Sequence, residues 1–262
     1  MKRILIIILG ITTANLFFSC QKTVTLDLKT APSQIVIQGE VTNLAGPYTI
    51  TVNQTTGFYA DNNFPPISGA SIKISDNQGI TDSLTETSPG VYSTHILQGL
   101  PGNTYTLSVF AQNKTYSAVS TMPAPIALDS VSFQHLSGFG NDQINAIAYF
   151  QDPAGVKNNY QFMEYINGQQ FNRNIFVFDD RLSDGRYISR TLFMDSTYLK
   201  IGDQLEVKMY CIDDSVYNYF YQLDQSTYGN TASPANPTTN ISNGAYGYFS
   251  AHTVDSKKVT VY

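Results

Sequence analysis

Apolar and polar residues alternate singly in short runs from residue 35 to the end of the chain, and this period of two constrains the fold more than any other feature. Successive side chains in a strand point to opposite faces, so a run that hides every second residue is a half-buried strand. Residues 35–41, 48–52, 70–74, 90–96, 104–110 and 116–122 read this way, with Gly, Pro and Asn between them. About a hundred residues of short strands at that spacing predict a β-sandwich. Met122-Pro123-Ala124-Pro125 then sets two prolines in four residues, an extended link that neither sheet absorbs. Strands resume at 129–136, 144–151, 160–166, 174–178, 187–194 and 204–212, and two more, 246–252 and 258–262, close the chain. One segment departs from the pattern. Val216, Tyr219, Phe220 and Leu223 recur at helical spacing behind Asp213-Asp214-Ser215, which predicts one short helix over 214–227. A turn-rich stretch, 229–244, holds Pro234 and Pro237 and is long enough to be packed on the surface or functional. The expected chain is mostly β: an N-terminal sandwich over 31–123, then a second antiparallel β domain with one short helix over 124–262.

Composition narrows the function classes. With 42% of 262 residues hydrophobic, the chain can fill a core, which excludes wholesale disorder. Lys and Arg number 15 against 20 Asp and Glu, for a net charge of -5, which excludes nucleic acid as a partner. Residues 1–19 have a character of their own: Lys2 and Arg3 precede a run, Ile4 to Phe18, that is apolar apart from Thr12, Thr13 and Asn15. That run is shorter than the roughly 20 apolar residues of a spanning helix and has the form of a signal peptide. It ends Leu16-Phe17-Phe18-Ser19-Cys20, which resembles the lipobox of bacterial lipoproteins, although Phe17 is bulkier than the usual Leu or Val neighbourhood. The resemblance implies cleavage before Cys20, diacylation of its thiol, a lipidated tether over 20–30 and attachment to the outer membrane. Gln21-Lys22 partly resembles a surface-export signal whose acidic half is missing here, so the periplasmic and outward-facing leaflets both stay open. With Cys20 lipidated, Cys211 is a lone thiol, expected as a small buried hydrophobe in a strand.

Few motifs carry chemistry. Asp179, Asp180 and Asp184 crowd one predicted turn and are the candidate ligands for a hard cation such as calcium. The features of an EF-hand loop are missing, and an Asp-Gly turn explains the cluster without an ion, so no metal and no cofactor is expected. His95, His135 and His252 stand far apart, with His95 and His252 expected as partly exposed strand residues rather than zinc ligands. Gly138-Phe139-Gly140 lacks the third glycine and the helix of a dinucleotide fingerprint, and no nucleophile elbow, Ser-x-x-Lys or His-Glu-x-x-His occurs. Most of the 18 Tyr and 15 Phe belong to cross-strand pairs and cores, leaving Tyr217, Tyr221 and Tyr228 as a surface for peptide or glycan contact.

Leu100-Pro101-Gly102-Asn103-Thr104-Tyr105-Thr106-Leu107 resembles the Pro-Gly-x-Tyr-x-Leu feature of prealbumin-like and carboxypeptidase-regulatory-like domains, which implies an Ig-like or prealbumin-like first sandwich. The lipobox, Ile35-Val36-Ile37-Gln38-Gly39-Glu40-Val41, Pro65-Pro66-Ile67-Ser68-Gly69-Ala70-Ser71-Ile72 and Gly90-Val91-Tyr92 occur in order. Asn236-Pro237, Asn240-Ile241 and Gly244-Ala245-Tyr246-Gly247-Tyr248-Phe249-Ser250-Ala251 follow near the end. Together they resemble the Bacteroidota lipoproteins called "domain of unknown function 4249" over essentially the whole mature chain. That family has no site residues to carry over. Its association with TonB-dependent receptors implies a part in nutrient capture or receptor assembly. The expected protein is a binding or accessory subunit without catalysis, whose partners are the membrane, through the lipid, and a TonB-dependent receptor met by the second domain. Two rivals remain. One is a hydrolase in which Asp179, Asp180 and Asp184, or Asp213 with Asp214, converge with a histidine in a pocket; the other is a structural envelope spacer.

Overall fold

The alternating runs become strands nearly one for one. Before the Met122–Pro125 link come β1 (Ile35–Thr42), β2 (Thr49–Gln54), β3 (Ser71–Asp76), β4 (Thr81–Ser83), β5 (Thr85–Ser88), β6 (Val91–Ser93), β7 (Thr104–Ala111) and β8 (Lys114–Thr121). After it come β9 (Leu128–Gly138), β10 (Asn141–Gln151), β11 (Asn159–Ile166), β12 (Gln169–Asp179), β13 (Tyr187–Leu192), β14 (Gln204–Cys211), the helix α1 (Asp214–Thr227) and β15 (Tyr246–Thr260). This computed structural model describes residues 32–57, 64–138, 141–193, 199–227 and 235–262, without the side chains of 137, 138, 141, 142 and 172–174. The expected lipidation residue Cys20, the tether, and Tyr228 lie outside the described residues. Ser33–Thr56 and Ala60–Tyr262 form one compact unit. No helix among the described residues is long and apolar enough to cross a membrane.

Three sheets build that unit. The largest runs β12-β11-β14-β15-β1-β2-β6-β5, and two smaller ones run β4-β3-β7-β8 and β13-β10-β9. Two cores result. Ile37, Val41, Ile50, Val52, Ile72, Ile74, Tyr105 and Leu107 belong to the first, and Phe150, Tyr160, Phe162, Leu205, Val207 and Met209 to the second. Tyr105 and Leu107 both enter the first core, two residues apart on β7, as the Pro-Gly turn before them predicts. Met122 is in the first core and Ile126 in the second, one on each side of the proline pair.

The two expected closing strands are one strand of fifteen residues. Residues 246–252 of β15 pair in parallel with β1, and 253–260 pair antiparallel with β14. The linking residues Thr253 to Lys257 continue the strand because β14 supplies partners for each of them, which a local pattern does not show. β15 therefore serves both cores: Phe249 and Ala251 enter the first, while Val259 packs against the second. The close approach of β15 to β1 needs glycine. Gly247 has φ 97°, and a Cβ there would meet the Ile37 carbonyl oxygen at 2.0 Å. β4 and β5 escape the sequence pattern because three and four residues are too few to show a period.

Odd and even positions sort the large sheet into two faces. Phe249 and Ala251 on β15 and Ile37 and Val41 on β1 face the first core; Val207, Met209 and Cys211 on β14 and Tyr160 and Phe162 on β11 face the second. The intervening Glu40, Tyr248, Tyr210 and Gln161 take the other face. On that face Tyr219 and Phe220 of α1 pack against Tyr248, at 5.3 and 4.8 Å between ring centroids. α1 starts at an aspartate cap: the Val216 amide donates to Asp213 Oδ1 at 2.9 Å, and Ser120 Oγ donates to Asp213 Oδ2.

Candidate functional site

The face opposite the cores carries a groove made of two hollows. One, of about 420 Å³, is lined by Gln38, Thr42, Thr49, Thr51 and their neighbours; the other, of about 260 Å³, by Gln161, Met163, Tyr165, Gln170, Tyr210 and Phe220. Glu40 and Tyr248 line both. The Tyr248 hydroxyl donates to Glu40 Oε1 at 2.9 Å, joining residues 208 positions apart in sequence. Burial first, and then the Glu40 charge, hold the Tyr248 phenol well above the usual phenol range. Burial raises Tyr210 in the same way, followed by the effects of Tyr165 and Glu40. Beneath Tyr210 lies His252, the rings stacked at 4.5 Å. His252 is 2% exposed, contrary to the expected partial exposure, because the large sheet and Tyr210 cover it. Its Nδ1 lies 2.9 Å from Ser250 Oγ, its Nε2 has no partner among the described residues, and burial lowers its pKa against the charges of Glu40 and Asp213.

A third hollow, of about 280 Å³, opens where α1 begins. Asp179 and Asp214 line it together with Lys157, Arg181, Tyr217 and Tyr221. Asp179 Oδ2 accepts from Arg181 Nε at 2.8 Å and from the Tyr217 hydroxyl at 2.9 Å. Those bonds outweigh burial and keep the carboxyl below its ordinary range. Tyr217 itself is pushed up to about 12, by burial and then by its bond to Asp179. Lys157 Nζ stands 2.5 Å from Asp214 Oδ2, and Asn159 donates to Oδ1 at 2.7 Å. Tyr217 and Tyr221 stack at 5.8 Å. Two of the predicted surface tyrosines, Tyr217 and Tyr221, and two of the predicted acids therefore meet, with each carboxylate already bonded to a neighbouring cation.

The acidic turn sorts differently from its sequence reading. Asp180 and Asp184 converge with Asp152, their ligand oxygens within 4.8 Å of one another, while Asp179 points to the hollow at α1. Asp152 is the member that sequence proximity hides, since it lies on the loop after β10. Loop amides already bond to the same three carboxylates: Gly185 N donates to Asp152 at 2.9 Å, Asn158 N to Asp180 at 2.7 Å and Gly155 N to Asp184 at 2.7 Å. The Tyr160 hydroxyl also donates to Asp152. A hard cation would draw on this carboxylate trio, and the bonds already present tie the two loops together without one. Asp213 caps the helix and does not line the hollow that holds Asp214. No histidine lines that hollow: His95 lies beside Asp82, His135 Nε2 is 2.8 Å from the Tyr262 carbonyl oxygen, and His252 is at the groove. Cys211 is buried in β14, as expected, and burial pushes its thiol up.

These features define a mostly β protein with one helix, whose two cores share one long sheet, with a polar and aromatic groove on the sheet's other face. The chain belongs to the family described as Domain of unknown function (DUF4249), whose model matches residues 21–258. No curated protein matches it. Among solved structures it is similar to a two-domain fibronectin type-III segment from chicken tenascin, 11% identical over 87% of this chain and 99% of that one, with a TM-score of 0.24. It is also similar to the Yersinia pseudotuberculosis adhesin InvE, 15% identical over 87% of this chain and 58% of that one, with a TM-score of 0.21. At those TM-scores neither likeness carries an argument about this chain.

Proposed function

We propose that the chain is an outer-membrane lipoprotein that binds a ligand or a receptor and catalyses no reaction. Cys20 carries the lipid, and the folded unit serves as an accessory to TonB-dependent nutrient uptake in a Bacteroidota cell envelope. The observation that carries the binding reading is the groove: aromatic rings and hydrogen-bonding side chains line two adjoining hollows of ligand size. The sequence from Lys2 to Cys20 supports the anchor, and the family's association with such receptors supports the partner.

The test is a pull-down of the C-terminally tagged chain from outer membranes in mild detergent, followed by mass spectrometry. Stoichiometric recovery of a TonB-dependent receptor is expected. Recovery of the chain alone, at every detergent tried, overturns the accessory role. Cys20→Ala is expected to give a soluble or signal-retaining product, and unchanged membrane partition of that variant overturns lipid anchoring.

A further inference from the structure

Glu40 is a carboxylate without a counter-ion among the described residues. It is half-buried on β1, one oxygen accepts from Tyr248, and none of the ion pairs among the described residues includes it. No other residue lining either hollow of the groove is charged. Its field falls instead on neutral groups, the Tyr248 and Tyr210 phenols and the His252 imidazole. A charge withdrawn from water is costly unless it is paired. The walls beside it are aromatic, and the faces of aromatic rings attract cations. The protein already uses that attraction on the same face, where Lys208 Nζ stands 4.5 Å from the centroid of the Tyr165 ring.

We propose that the smaller hollow is a site for an organic cation, in which a ligand's ammonium or guanidinium group pairs with Glu40 against the rings of Tyr210, Phe220 and Tyr248. At about 260 Å³ the hollow takes one group the size of a lysine or arginine side chain. Gln161 and Gln170 line it as neutral hydrogen-bonding groups. The adjoining hollow, which shares Glu40 and Tyr248, leaves room for the rest of the ligand. An anion would meet repulsion from Glu40, and a neutral polyol would leave the carboxylate uncompensated. The inference rests on the binding reading above and names the ligand chemistry of the same groove. The cation has two sources, a free amine or a basic side chain of a peptide.

The full chain in mild detergent is titrated with n-butylammonium, n-butylguanidinium, the N-acetylated tripeptide amide Gly-Lys-Gly, n-butanol and a neutral trisaccharide, at low and high salt. The cations are expected to bind, to weaken as salt rises, and to lose about tenfold or more in affinity in Glu40→Gln, the scale of a lost charged partner. Tighter binding of the peptide than of butylammonium assigns the site to a basic side chain, and equal affinity assigns it to a free amine. Unfolding of Glu40→Gln at the wild-type temperature shows that the loss is local. If that variant does not fold, the salt dependence of the wild type decides. Binding of the trisaccharide or butanol that Glu40→Gln leaves intact overturns the cation and keeps the binding reading. Failure of every cation to bind overturns the cation as well, while the receptor pull-down tests the binding reading independently.

Discussion

Glu164 offers the sharpest test of how the second core is built. It lies on β11 between Phe162 and Ile166 of the same face, opposite Val207 on β14 and Phe171 on β12. The residue is 1% exposed, and neither carboxylate oxygen has a hydrogen-bond partner among the described residues. Burial raises its pKa from the usual 4.5 to about 8. The folded protein therefore keeps a proton that the unfolded chain releases, and raising the pH favours unfolding. Stability from this group is fully present below pH 4.5 and is lost as pH rises towards 8, at about 1.4 kcal/mol per pH unit. By pH 7 the loss is about 3 kcal/mol, a large share of the stability of an ordinary domain. Glu164→Gln keeps the shape and removes the ionisation. Urea unfolding followed by circular dichroism at a series of pH values checks it, with the difference between variant and wild type isolating this one group. The variant is expected to match or slightly trail the wild type near pH 4 and to exceed it by about 3 kcal/mol at pH 7. A difference that stays constant with pH would refute the reasoning, because the carboxyl would then be solvated or paired in the fold.

Four further substitutions test other parts of the scaffold. Asp82, 3% exposed, accepts the amides of His95, Ile96 and Leu97 at 2.7, 2.7 and 2.9 Å, so Asp82→Ala should cost about 3 kcal/mol in urea unfolding at neutral pH. Burial raises that carboxyl but the three amides outweigh it and hold it below its ordinary value; its contribution should fade as pH falls through the folded value, narrowing the gap to wild type in acid. Gly247→Ala puts a Cβ 2.0 Å from the Ile37 carbonyl oxygen and should cost more than the roughly 1–2 kcal/mol of the left-handed backbone alone, whereas Gly79→Ala, also at φ 97° but with open space around it, should cost only that; paired thermal melts compare them. Asp213→Ala removes the cap of α1 and the acceptor of Ser120 Oγ, and should lower stability by about 2 kcal/mol in the same melts.

The elements were legible wherever the cause is local. The helix was readable because Asp213 precedes an apolar spacing of three and four, and the cap and the span of α1 appear as that pattern implies. The β7–β8 hairpin turns at Gln112-Asn113, both at positive φ (50° and 59°); Asn113 suits that conformation, whereas Gln112 gives no such signal. Glu164 was readable too: the even positions of β11 are Tyr160, Phe162, Glu164 and Ile166, a carboxyl on an otherwise apolar face. What stayed hidden depends on distant pairing. Asp152 joins Asp180 and Asp184 only because β10 and β13 align their loops, and Glu40 meets Tyr248 only because the first and last described strands run side by side.

Glu40 and Glu164 show why a candidate site on this fold cannot be found by counting residue types. Each is a glutamate in a strand of the same sheet, yet strand parity sends one to the core and the other to the groove. In the core, isolation from water makes protonation the cheaper response, and the carboxyl answers by shifting its pKa to about 8. At the groove, Glu40 instead accepts a hydrogen bond from the Tyr248 hydroxyl and lines the hollow in which the proposed cation would pair with it. The junction that decides this is β15. Because its first half lies beside β1 and its second beside β14, Glu40 from the first sandwich and Tyr210 and Gln161 from the second line a single hollow. A ligand held there would therefore touch strands belonging to both cores.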